Sequence, residues 1–137
     1  MNVSLIRSSF DALRPHAPLL VDRFYATLLE RYPQVRPLFA HVDLPRQKQM
    51  LTQALSLLVA NLENPDVLKS YLAQLGAKHV RYGARDAHYD AVGECLLAAM
   101  AEVAGPIWNA ELEREWTETY GAVASLMKQG AAMTVVI

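Results

Sequence analysis

One histidine, His79, lies where the pattern of its helix predicts an apolar residue. Counting back from it at helical steps gives Leu75, Leu72 and Leu68, which share one helix face. An imidazole at the end of an apolar stripe is either a hydrogen-bonded core residue or a metal ligand that binds through a ring nitrogen. Periodicity alone favours the core residue, because polar side chains on apolar faces are usually buried with a hydrogen-bond partner. The metal ligand is the alternative.

The other reactive side chains form no recognised catalytic or phosphate-binding motif. The four histidines are widely spaced, and the His-Glu-x-x-His pattern of zinc proteases is absent. The six glycines form neither a dinucleotide-binding loop nor a Walker-type loop. Ser56 lacks the glycines of a nucleophile elbow. Cys95, the only cysteine, excludes an internal disulfide and a cysteine-based zinc site, and its neighbours GECLLAAM indicate a buried small hydrophobe.

Length and composition predict a single packed domain over residues 1–137. Hydrophobic residues make up 53% of the 137 residues and charged residues 20%, which is typical of a globule with a sizeable core. The formal net charge of -1 argues against a nucleic-acid interface, which normally needs a basic face. No apolar run approaches the ~20 residues that span a bilayer, and the N-terminus MNVSLIRSSFDALRP does not resemble a signal peptide. We therefore expect a cytoplasmic protein without a membrane span.

Helical periodicity interrupted by prolines and glycines predicts an all-α protein. Apolar residues recur at steps of three and four, and no useful length alternates at steps of two. Six longer helices and one short one are expected. They cover 3–13, the stretch PLLVDRFYATLLERYP, the short segment PQVRPLF, a long helix from Asp43 or Pro45, one from Asn64 or Asp66 to Gly83, the stretch DAHYDAVGECLLAAMAEVAG, and one from near Asn109.

Two of these helix faces, at 51–62 and 68–79, could enclose a flat cofactor. If they confront each other across a gap, leucines line it, His79 projects from one side and Gln47 lies near the start of the other. Haem suits such a gap, because its macrocycle is held by burial and its iron takes an axial bond from imidazole. The sequence pattern thus supports a haem site as a hypothesis beside the buried core histidine.

Several longer motifs then resemble a known family. FYATLLERYPQVRPLF, KHVRYG, HYDAVGECLL and EWTETYG resemble, in order and spacing, the globin domain of flavohaemoglobins and the bacterial single-domain haemoglobins. The similarity runs from about residue 5 to residue 128, and YPQVRPLF together with KH ten residues before HY is its most specific part. The resemblance implies a globin fold, a three-over-three helical sandwich around a b-type haem (iron protoporphyrin IX).

On the proximal side of the haem, the resemblance implies that His79 is the iron ligand. Tyr89 matches a proximal tyrosine that, in the family, belongs to a network with a glutamate of the last helix. This sequence departs from that pattern, because no acidic side chain follows Glu118 and MKQGAAM occupies the region. We therefore expect no strong electron donation to the iron, and expect His79 to hydrogen-bond mainly to backbone carbonyls. Lys78 is expected to pair with a haem propionate, with a solvated lysine as the alternative.

On the distal side, the resemblance implies a polar pair and an apolar wall. Tyr25, in RFY, matches the tyrosine that donates a hydrogen bond to bound dioxygen; a packing aromatic is the alternative reading. Gln47 matches the distal glutamine, and Gln49 is its competitor in the alignment. Leu51 is expected to cap the distal pocket, and Phe39 to pack on the haem face.

The resemblance implies a haem protein that reversibly binds dioxygen and other diatomic gases, including CO, at a five-coordinate iron. A chain of 137 residues has no room for the flavin and nicotinamide domains of a flavohaemoglobin, so we expect one globin domain without a reductase domain. Nitric oxide dioxygenation with a separate flavin reductase is the alternative, which leaves enzymatic activity open. A haem-based gas sensor, or a helical module without haem, ranks behind both.

Overall fold

The computed structural model describes the backbone of residues 1–81 and 84–136, and side chains for 1–80 and 84–131. Six α-helices are present in these ranges, and no strand is. They are α1 (Val3–Leu13), α2 (Ala17–Arg31), α3 (Leu44–Ala60), α4 (Pro65–Arg81), α5 (Asp86–Ala104) and α6 (Ala110–Val136). Three short 3-10 segments join them, at Arg14–His16, Pro33–Phe39 and Gly105–Ile107. The predicted all-α fold is confirmed.

Short polar residues begin three of the helices by accepting hydrogen bonds from first-turn amides. Asp43 Oδ1 accepts from the Arg46 amide at 3.3 Å, and Pro45 occupies the first turn of α3. The Asn2 and Asn109 side chains accept in the same way, at 3.0 Å and 2.9 Å. Asp43 is thus the predicted cap. The predicted C-terminal glycine of α4, Gly83, lies outside the described residues.

A large apolar cluster holds α1, α2, α5 and the first half of α6 together. Its fully buried members include Ile6 of α1 and Cys95 and Met100 of α5, each with no exposed surface. Trp116 of α6 is buried there, and its indole N–H donates to Ser9 Oγ at 2.9 Å. A buried hydrogen bond of this kind contributes about 1 kcal/mol net. Cys95 is the buried small side chain that its neighbours predicted.

Helices α4 and α6 touch backbone to backbone, which positions the end of α4. A Cβ added to Gly76 would overlap the Met127 carbonyl, and one added to Gly130 would overlap the backbone of Ala73. Only glycine allows so close an approach. A second apolar cluster flanks this crossing and contains Leu72, Met127 and Tyr89. His79 lies one turn beyond Leu75 on the same helix, so the glycine crossing sets where its imidazole stands.

No helix in the described ranges combines the length and the apolar character needed to cross a bilayer.

Candidate cofactor site

His79 stands in the last turn of α4 with a defined ring orientation. Its Nδ1 is 2.7 Å from the Leu75 carbonyl oxygen, one helical turn earlier. A carbonyl only accepts, so Nδ1 carries the proton and donates, and the lone pair is on Nε2. Burial lowers the pKa of His79, and the bond to Leu75 opposes that change in part. The ring is therefore the neutral tautomer that metals bind through Nε2. The expected backbone-carbonyl bond is present.

Tyr89 of α5 is the aromatic neighbour of His79. The two ring centroids are 6.5 Å apart with an interplanar angle of 34°. Tyr89 is 6% exposed, and its hydroxyl is buried without a hydrogen-bond partner among the described residues. Burial, and then the negative charge of Asp86, raise the pKa of Tyr89, so its phenol stays neutral. The Tyr120 hydroxyl donates to the Tyr89 carbonyl at 2.6 Å, which ties this part of α5 to α6.

A cation lies in the part of α6 where the family's glutamate was expected. Lys128 Nζ is 5.5 Å from the centroid of the Tyr89 ring, within cation–π range. The missing carboxylate was evident from the sequence, whereas the position of Lys128 was not predicted. The spacing offered one indication, because Tyr120, Ala124 and Lys128 follow each other at four-residue steps on one side of α6.

The structure brings Tyr25 of α2 and Gln47 of α3 together. Tyr25 is 4% exposed. Burial raises the pKa of Tyr25, and a side-chain hydrogen bond with Gln47 opposes the rise. Tyr25 of α2 and Gln47 of α3 are therefore within hydrogen-bonding reach of each other. Gln47 is half-buried, whereas Gln49, its competitor in the alignment, is exposed.

Phe39 and Leu51 pack beside this pair. The Phe39 ring lies edge-on to Tyr25, with centroids 5.9 Å apart at 75°. Leu51 is half-buried against the large apolar cluster, which also contains Tyr25. Phe39 thus contacts Tyr25, and the contacts of Phe39 and Leu51 with a haem stay predictions. Lys78 is exposed, and its pairing with a propionate stays a prediction.

The two residue groups belong to different apolar clusters. Tyr25, Phe39 and Leu51 belong to or pack on the large cluster, whereas Tyr89 and the α4 leucines belong to or pack on the second. In the described ranges α4 packs mainly on α6, and α3 with α4 is not among the helix pairs in extensive contact. Leu58 of α3 is the member of the second cluster that comes from this helix. A flat apolar group between α3 and α4 would pack against both clusters, on the helix pair that carries Gln47 and His79. The donor chemistry and the apolar lining therefore fit haem.

A separate cavity of about 1210 Å³ opens between α5 and α6. Its walls include Tyr89, Gly93, Tyr120 and Lys128, but no residue of α3. It is therefore not the space between α3 and α4 that the apolar faces predicted.

Comparison with protein families relates the chain to globins. The globin family model matches residues 22–127. The chain is 30% identical over 125 residues to a flavohemoprotein of Rhizobium meliloti, covering 90% of this chain and 31% of that protein. It is 32% identical over 126 residues to the flavohemoprotein of Bordetella pertussis, with the same coverage of 90% and 31%. The chain thus spans about a third of the length of these relatives.

Solved structures show the same architecture. An engineered carbene transferase variant of a putative nitric oxide dioxygenase from Rhodothermus marinus superposes with a TM-score of 0.88 at 32% identity, covering 98% of this chain and 93% of that one. A bacterial globin from Campylobacter jejuni gives a TM-score of 0.85 at 24% identity, covering 98% and 97%, which supports the fold alone. The two similarities agree with the helix order described above.

Proposed function

Because this chain belongs to the globin family, we propose that it holds haem b between α3 and α4 and reversibly binds dioxygen and other diatomic gases. His79 is the proximal ligand in this proposal, and the hydrogen bond from its Nδ1 to Leu75 O is the observation that carries it. That bond fixes the tautomer in which Nε2 carries the lone pair that metals bind. Haem, when bound, would supply an iron that can bind a diatomic gas.

The distal residues of the proposal supply one oriented hydrogen-bond donor. In this proposal the Gln47 amide is the donor in the side-chain hydrogen bond that it shares with Tyr25, which leaves the Tyr25 O–H to donate to the gas. The Tyr25 O–H would give a gas ligand that carries negative charge a charge-assisted hydrogen bond. Phe39 and Leu51 keep the surroundings apolar, and low local polarity strengthens that bond. Tyr25 therefore slows release of dioxygen while Gln47 positions it.

The proximal residues of the proposal make His79 a weak electron donor. Its Nδ1–H donates to a neutral carbonyl rather than to a carboxylate. A neutral acceptor pulls less on the imidazole proton than a charged one does. The site therefore favours binding dioxygen over cleaving it.

Haem retention by a histidine variant tests the assignment. His79→Ala is expected to lose most of its haem, measured as the ratio of Soret to protein absorbance after purification with haem supplied. His16→Ala is the matched control, because it removes an exposed histidine. Equal haem content in the two variants would remove His79 as the ligand.

A second candidate function is nitric oxide dioxygenation, in which bound dioxygen and nitric oxide give nitrate. The 32% identity to a putative nitric oxide dioxygenase favours it. Each turnover leaves ferric iron, so the proposal includes a separate flavin reductase as the electron donor. Sustained nitric oxide consumption that requires added reductase supports this function. A single turnover followed by arrest in the presence of reductase rules it out.

A further inference from the structure

We propose that the positive charge of Lys128 favours the ferrous state of an iron bound at His79. Lys128 would thus stand in the region where the family carries its proximal glutamate. The inference rests on the proposed haem binding. Two neighbouring contacts support it. The Lys128 ammonium lies 5.5 Å from the centroid of the Tyr89 ring, and the centroids of the Tyr89 and His79 rings are 6.5 Å apart. A positive charge at this position has the sign opposite to that of a carboxylate.

The carboxylates near Lys128 do not cancel the positive charge of its ammonium group. Lys128 is half-buried, so solvent and salt screen its charge less than that of an exposed lysine. None of the ion pairs among the described residues involves Lys128. Asp86 acts on Tyr89, and Asp90 and Glu94 line the same cavity as Lys128, but all three carboxylates are exposed. Solvent therefore weakens these opposing charges more than it weakens Lys128.

The orphaned Tyr89 hydroxyl is consistent with this arrangement. A proximal glutamate would accept a hydrogen bond from a tyrosine at this position, whereas an ammonium cannot accept one. Tyr89 O–H is buried without an acceptor among the described residues, while its ring face interacts with Lys128. Tyr89 therefore interacts with Lys128 through the face of its ring. The described residues contain no hydrogen-bond network that would carry negative charge from Tyr89 toward His79.

Lys128 would act on the oxidation state of the iron through its positive charge. Ferric haem carries one more positive charge than ferrous haem, so a nearby cation destabilises the ferric state more. Removing the Lys128 charge should therefore stabilise ferric iron and lower the reduction potential. We expect Lys128→Met to change the ferric-to-ferrous equilibrium constant by about tenfold, which is ~59 mV for one electron.

Spectroelectrochemical titration of the haem-loaded variants tests the proposal. Lys128→Met should lower the midpoint potential, Lys128→Glu should lower it further, and Lys128→Arg should keep it near the wild-type value. Lys69→Met is the matched control, since it removes the same charge ten residues before His79 on α4, about 15 Å away along the helix axis. If Lys128 had only a structural role, its variants could change the midpoint potential, but the changes would not follow the sign of the charge at position 128.

Each outcome decides the inference. Potentials that follow the charge at position 128, with an unchanged Lys69→Met, support it. Equal potentials for wild type, Lys128→Met and Lys128→Arg overturn it while haem binding stands. If Lys128→Glu does not fold, the Met and Arg variants give the same decision. A wild-type chain that takes up no haem overturns this inference together with the proposed function.

Discussion

Tyr25 and Gln47 share a side-chain hydrogen bond, which lowers the pKa of Tyr25 and opposes the rise that burial causes. Gln47 comes from the first turns of α3 and Tyr25 from the middle of α2, so the pair links these two helices. We propose that the Gln47 amide is the donor of this bond, which leaves the Tyr25 O–H to donate to the gas. In this proposal Tyr25 contacts the gas and Gln47 positions Tyr25.

Tyr25→Phe should keep haem and release dioxygen faster. The variant removes a hydrogen bond to a partly charged acceptor, which is worth about 1.5–3 kcal/mol, so the off-rate should rise by about tenfold to a hundredfold. Stopped-flow dissociation measures it. Tyr32→Phe, at the end of the same helix, is the control and should leave the rate unchanged. An unchanged off-rate in Tyr25→Phe would make Tyr25 a packing residue.

Gln47→Leu should also speed release, but by less. Loss of one neutral hydrogen bond is worth about 1 kcal/mol, or roughly fivefold, and Tyr25 loses its orientation. Gln49→Leu should have no effect, because that side chain is exposed. The same kinetic assay compares the two variants. If Gln49→Leu changes the rate and Gln47→Leu does not, the alignment that places Gln47 in the site is wrong.

Gly76→Ala should destabilise the contact between α4 and α6. The new methyl group would overlap the Met127 carbonyl, so the free energy of unfolding should fall by about 1–3 kcal/mol in urea titrations. Gly121→Ala is the control, since nothing lies within 4 Å of an added Cβ there and alanine favours helix by up to about 1 kcal/mol. Equal stability changes in the two variants would mean that α4 and α6 are not in backbone contact.

The apoprotein should lose stability below about pH 6.5 in part through His79. Burial lowers the pKa of His79 in the folded chain below the ordinary histidine value of 6.5. Between these two pKa values the unfolded chain binds a proton that the folded chain does not, so stability falls as the pH drops through that window and is constant above it. Urea titrations at about pH 7.5 and pH 5.5 should show a smaller drop for His79→Gln than for wild type.

The control for that comparison is His16→Gln, which removes an exposed histidine. It should show the wild-type drop. A drop in His79→Gln as large as that of wild type would mean that His79 titrates alike in the folded and unfolded chains.

The sequence predicted the helices well because apolar periodicity and capping residues act locally. The first helix runs from Val3 to Leu13 as predicted, and Asp43 caps α3. Tyr25 and Gln47 were singled out by motif resemblance. They are far apart in sequence, and only the packing of α2 against α3 brings them together.

Two features of the proximal side could not be predicted in the same way. A glycine within a helical pattern, such as Gly76, indicates a local loss of helix stability, but it does not show which helix will pack against it. The position of Lys128 over Tyr89 depends on how α6 lies against α5 and on a side-chain conformation. Both are tertiary contacts, for which residue spacing on one helix gives little information.

The central claim is that His79 binds haem iron and leaves the opposite position open to gas. The most direct measurement is the visible spectrum of the haem-supplied wild-type protein, recorded as ferric, dithionite-reduced, and reduced with CO or dioxygen added. We predict a strong Soret band that shifts on reduction and shifts again with each gas. A well-folded helical protein without a Soret band would contradict the account and would return His79 to the role of a buried core histidine.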